Sequence, residues 1–177
     1  MKRCVTDYLE QEHQELSLLL NELQEQLGVL PLVQDRRGAA ERLTGLRRQV
    51  SQALHNHVVE EEHILYPQIQ DHLQGMTFTL DRMRHEHDAG EQTERTFYEN
   101  VERLLQGRGN PQQVMQSGRE YIQWVRNHLL GESGRLFPMV ERGLDLNTQQ
   151  AVRRAMEELK KESSALVAEG HTHTARA

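Results

Sequence analysis

Only Cys4 among the 177 residues is a cysteine, so no intrachain disulfide framework exists, a pattern that fits a reducing compartment and an inert thiol. A basic stripe is missing too. With a net charge of −6, no lysine- and arginine-rich face is left to neutralise phosphates, which excludes nonspecific binding to nucleic acid. No apolar run approaches the ~18 residues of a membrane span. The opening Met1-Lys2-Arg3-Cys4-Val5-Thr6-Asp7-Tyr8 has no apolar signal core. A cytoplasmic protein with no membrane partner is therefore expected. Alternating strand patterns are almost absent as well. What is present suits one helical domain with a substantial core, at 36% hydrophobic and 27% charged residues. It is rich in one side chain, with ten histidines.

Helical periodicity runs through the chain. Leu9, Leu16, Leu19, Leu20 and Leu23 are spaced for a first helix over about Thr6 to Leu27, with Thr6 or Asp7 as its cap. Breakers between Gly28 and Gly38 precede a second helix from near Ala39, through Leu43, Leu46, Val50 and Leu54. Pro67 should kink or end it, with a short extension to Leu73. A third helix is expected from Thr77 to Leu105, where Gly90 is a local weakness. Asn110-Pro111, a cap followed by proline at the first helical position, opens a fourth, which meets Pro138 near its end. Asn147 or Thr148 opens a last helix, Gln149 to about Leu166, before a polar tail. The expected fold is all-α, an up-down-up-down four-helix bundle over residues 1–144. The C-terminal helix and tail, 145–177, then pack on the bundle or extend from it.

One pattern occurs twice. His57-x3-Glu61-x3-Leu65-Tyr66-Pro67 is matched at every offset by His128-x3-Glu132-x3-Leu136-Phe137-Pro138. Residues four apart share a helix face, so each copy offers an imidazole beside a carboxylate. A lone pair of this kind is commonly a weak surface contact; two in identical frames are not so explained. Take His13, His57, His87 and His128, one per main helix. Their successive midpoints fall at residue 35, at residue 72 and between residues 107 and 108, each in or beside a breaker stretch. In an antiparallel bundle that puts all four at one level. Glu12-His13 and Glu86-His87 precede the two copies at similar distances, as a repeated helix pair would require. His13, His57, Glu61, His87, His128 and Glu132 thus form a six-residue metal-ligand candidate. Imidazoles with carboxylates able to bridge, and no thiolate, point to a pair of iron ions in a bundle core.

The other histidines fall elsewhere. His55, His63 and His85 lie off the faces of His57 and His87, and His72 lies past the proline. His171 and His173 sit in the tail, where adventitious metal binding is the most expected of them. Tyr121 and Trp124 share the His128 face, with core packing as the expected role.

In combination, His13, His57-x3-Glu61-x3-Leu-Tyr-Pro67, Glu86-His87 and His128-x3-Glu132-x3-Leu-Phe-Pro138 resemble the hemerythrin-like family of HHE cation-binding domains over about residues 6 to 142. The resemblance implies a non-haem di-iron centre bridged by Glu61 and Glu132, with an oxo or hydroxo bridge and histidines completing each iron. Family members carry or sense dioxygen, handle peroxide or nitric oxide, or help restore damaged iron centres. Two departures bear on the choice. Oxygen carriers have a histidine where this chain has Met83, and an aspartate where it has Ser133. The four-His, two-Glu set is more similar to that of di-iron proteins of oxidative and nitrosative stress, although the extra cysteine domain common there is missing. The expected function is redox chemistry on peroxide, dioxygen or nitric oxide, in the manner of a small-oxidant-consuming oxidoreductase. The competing readings are reversible dioxygen binding or sensing, and an iron-sensing module that meets a protein partner through its last helix.

Overall fold

The computed structural model describes residues 4–173, with side chains over 4–162. Leu9, Leu16, Leu20 and Leu23 form one apolar stripe along α1, Val5–Val29, and all four are buried. The cap is Cys4 rather than Thr6 or Asp7: the Asp7 carboxylate accepts the Cys4 backbone N–H at 2.9 Å. Thr6 is instead buried and donates to Glu141 at 2.9 Å. A single 3-10 turn at Leu30–Leu32, containing Pro31, leads to α2, Arg36–Glu60. This helix starts before the expected Ala39 because the Asp35 carboxylate accepts the Gly38 N–H at 2.9 Å.

Neither motif proline ends its helix. α2 passes through a π turn, Glu61–Leu65, and continues as α3, Tyr66–His72. After α4, Thr77–Leu105, helix α5, Pro111–Gly131, does the same through Glu132–Leu136 into α6, Phe137–Gly143. Proline lacks a donor and clashes with the carbonyl one α-turn back. The π turn inserts one residue, so the Tyr66 and Phe137 N–H groups reach the carbonyls of Glu61 and Glu132. Pro67 and Pro138 then enter a ladder whose register has already shifted. Such π insertions recur at functional sites, and here each begins at a motif glutamate.

Helix α1 packs on α2, α2 on α4, α4 on α5 and α5 back on α1, closing the bundle. No strand occurs among the described residues, and none of their helices is long and apolar enough to cross a membrane. α7, Leu146–His173, is capped by Asp145, two or three residues earlier than expected. Its carboxylate accepts the N–H groups of Asn147 and Thr148 at 2.8 and 2.9 Å. The bond from Thr148 is the main reason that this carboxyl stays below its ordinary range. α7 packs against α1, α2 and the first π turn, burying Val152 and Met156.

The core has two parts. Leu16, Leu20, Leu54, Phe97, Val101 and Leu129 belong to one cluster. Leu9, Leu65, Leu80, Met83, Leu136 and Met156 belong to the other. Along α1 and α4 the switch from one cluster to the other brackets His13 and His87, and along the other two rods it brackets Glu61 and Glu132. A polar layer is thus sandwiched between apolar ends, each buried leucine contributing roughly 1.5–3 kcal/mol.

Candidate metal centre

Each main helix delivers one imidazole to that layer: His13 from α1, His57 from α2, His87 from α4 and His128 from α5. Glu61 and Glu132 follow at the starts of the π turns. None of the six is more than 6% exposed. The rings come in two pairs, His13 with His57 and His87 with His128, each with centroids 4.9 Å apart. The pairs adjoin through His57 and His128 at 6.2 Å. Glu132 Oε2 lies 3.1 Å from both His13 Nε2 and His57 Nε2, and its Oε1 lies 3.0 Å from His128 Nε2. Glu61 Oε2 is 3.7 Å from His87 Nε2. Among the described residues, His57, Glu61, His128 and Glu132 offer ligand atoms all within 4.8 Å of one another. All six residues singled out by spacing are therefore brought together.

Four atoms in this pocket are buried with no hydrogen-bond partner among the described residues: Glu61 Oε1, Glu132 Oε1, His87 Nε2 and His128 Nε2. The close approach of His128 Nε2 to Glu132 Oε1 is out of hydrogen-bond alignment. Burying bare carboxylate oxygens and imidazole nitrogens is costly, and a cation held between them removes that cost. The donor set, nitrogen and oxygen without sulfur, fits an imidazole-preferring transition metal such as iron.

The outward nitrogens are also held. His57 Nδ1 faces Glu12 Oε2 at 3.2 Å, His87 Nδ1 faces Glu62 Oε1 at 2.5 Å, and His13 Nδ1 faces Ser133 Oγ at 3.1 Å. A partner at Nδ1 fixes the tautomer that turns the Nε2 lone pair inward. The sequence repeat reappears here. Glu62 and Ser133 each follow a motif glutamate, and each holds the histidine of the opposite helix pair. Tyr66 lies nearly parallel to His87, at 6.3 Å and 13°, while Phe137 stacks on His13, at 5.0 Å and 30°. Only Tyr66 has a hydroxyl, which it donates to Glu61 Oε2 at 3.1 Å.

His128 differs from its counterpart His57. Its ring is stacked on Trp124, at 5.3 Å and 8°. Gly90 makes this possible, because a Cβ there would stand 2.1 Å from the indole. The apparent weakness in α4 is a close approach required by the site. Tyr121 packs in the core against Phe97, at 6.0 Å and 27°.

Burial opposes charge throughout the layer. At His57 the carboxylates of Glu61, Glu12 and Glu132 outweigh burial and hold the imidazole well above its ordinary range. Burial together with the Glu132 charge pushes Glu61 well up. The imidazoles of His128, His13 and His57 overcome burial at Glu132 and hold it well down. At His87 burial prevails over Glu62 and lowers the pKa.

His55, His63, His72 and His85 are exposed and outside the site. The side chains of His171 and His173 lie outside the described residues. Spacing missed Glu12, Glu62, the Tyr66 hydroxyl and Lys160, whose ammonium reaches Glu12 Oε1 at 2.7 Å. Glu12 and Glu62 adjoin site residues in sequence, but neighbours on a helix point in different directions, so adjacency alone does not place them. A cavity of about 20 Å³ touches His128 and Glu132, walled by Met83, Leu136 and Met139.

Compared with known families, residues 4–140 match the model of the hemerythrin HHE cation binding domain. No curated protein and no solved structure gives a match.

Proposed function

The chain belongs to the hemerythrin HHE cation-binding family, and from that premise we propose that it is a non-haem di-iron protein that reacts with peroxide, dioxygen or nitric oxide. The observation that carries this reading is the convergence of four buried ligand atoms without a hydrogen bond, from Glu61, Glu132, His87 and His128. His13, His57, His87 and His128 would hold the two ions as imidazole ligands, together with the carboxylates of Glu61 and Glu132. Iron bound there would supply electron transfer between its ferrous and ferric states.

The chain's own residues supply orientation and exclusion. Glu12, Glu62 and Ser133 keep three imidazoles in the tautomer that presents Nε2. Tyr66 steadies Glu61 by donating its hydroxyl. The apolar clusters close the layer above and below, and a cavity of about 610 Å³ lined by Arg47, Glu94 and Trp124 reaches His87 from the side. The cavity of about 20 Å³ beside His128 and Glu132 has room for roughly one water-sized molecule, which supports a diatomic or peroxide as the reactant. The four-His, two-Glu donor set, with Met83 and Ser133 where oxygen carriers have histidine and aspartate, supports redox chemistry in oxidative or nitrosative stress over oxygen carriage.

Anaerobic reduction followed by stopped-flow mixing with peroxide, nitric oxide and dioxygen tests the reading. Consumption of peroxide or nitric oxide with oxidation of the centre is expected. Reversible dioxygen binding without turnover, and no response to the other two, would overturn it.

A further inference from the structure

Glu12 joins the bundle to the C-terminal helix. Its Oε2 faces His57 Nδ1 at 3.2 Å, and its Oε1 receives the Lys160 ammonium at 2.7 Å. The second contact is a short, charge-assisted bond to a carboxylate whose side chain is only 8% exposed. Lys160 lies on α7, beyond residue 140 where the family match ends. The same helix brackets Tyr8, with Lys160 Nζ 5.6 Å and the Arg153 guanidinium 5.9 Å from the ring centre. Leu159 and Lys160 also wall a small cavity beside Val59 and Glu60, next to the first π turn. A residue outside the family domain therefore sits two contacts from a candidate metal ligand.

We propose that Lys160 is a positioning residue of the metal centre, and that through it the docking of α7 and the occupancy of the site are coupled. Lys160 holds one oxygen of Glu12, which leaves the other aimed at His57 Nδ1. His57 then keeps the ring orientation that presents Nε2 inward. Without Lys160 the Glu12 carboxylate loses the cation that holds its second oxygen and is drawn toward water, and His57 loses its outer partner. Coupling of this kind is reciprocal: whatever docked α7 adds to metal affinity, bound metal adds to α7 docking. The inference rests on the di-iron reading, since the ions gain from the ordering of His57.

The test uses the full chain and anaerobic Fe2+ titration against a chromogenic chelator, with hydrogen exchange over residues 152–160. Lys160→Met should weaken Fe2+ binding about 3- to 10-fold, below the upper end seen for direct partners of ligand histidines. Lys160→Arg should restore most of it. In a Glu12→Gln background, Lys160→Met should add nothing, because both changes cut the same chain of contacts. Fe2+ should slow exchange over 152–160 in the unmodified protein and leave it unchanged in Lys160→Met. A folded Lys160→Met with undiminished affinity overturns the proposal, as do additive effects with Glu12→Gln. Should Lys160→Met fail to fold, exchange in the unmodified protein decides, and its indifference to bound Fe2+ overturns the coupling. Absence of Fe2+ binding in the unmodified protein is a separate result, which removes the di-iron reading and this inference together.

Discussion

A histidine on a helix is readied for a metal when a partner holds its outward nitrogen and its inward one is left without a hydrogen bond. His87 meets both conditions, with Nδ1 on Glu62 and Nε2 buried without a hydrogen bond. The contrast with His63, exposed on the same rod as His57, gives the first prediction. His57→Ala and Glu132→Ala should each lose bound iron by elemental analysis, and His63→Ala should keep it. Tyr66→Phe makes the first motif copy like the second. It should leave iron content unchanged but weaken affinity by about tenfold or more in chelator competition, the worth of about one hydrogen bond to a charged group. Gly90→Ala gains roughly 1 kcal/mol of helix propensity but forces a methyl into the indole, a clash worth about 1–3 kcal/mol. Trp124 is the only tryptophan, so a net loss of stability should come with a changed emission spectrum. At this scale the six inner residues were legible from spacing, because residues at i and i+4 share a face. Glu12, Glu62 and Lys160 were not, because their contacts depend on how helices dock, in the case of Lys160 across 148 positions.

The π turns are where element-level reading departs most from the structure. Proline lacks a donor, which argues for a kink or a stop at Pro67 and for a helix end near Pro138. The inserted residue at each glutamate lets the rods run on as α3 and α6. The shared Leu-aromatic-Pro ending was visible in the sequence, but its meaning, a register shift behind each carboxylate, is a backbone property that side-chain periodicity does not encode. Caps were more legible where chemistry leaves little choice. Asn110, followed by Pro111, accepts the Gln112 N–H at 2.9 Å. Asn110→Ala should cost about 1 kcal/mol, read as a drop of roughly 2–4 °C in Tm, without altering metal content.

In the molecule as a whole, a charged layer between two apolar clusters is tolerable only if its groups are neutralised. Removing metal should therefore lower Tm, and adding it back should raise stability by about 2.7 kcal/mol when free metal is a hundredfold above Kd. Ligand imidazoles must be neutral to bind. Glu61, Glu12 and Glu132 favour the charged form of His57, so protons compete there already above the usual histidine range, and metal affinity should fall as pH drops through that range and be strongest on its alkaline side. The bundle and its polar level followed from helix count and histidine midpoints; the seat of α7 on Glu12 came only from the folded chain. The most direct test of the central claim is metal content after iron-replete expression. About two equivalents of iron per chain are predicted, and fewer than about one would contradict the account.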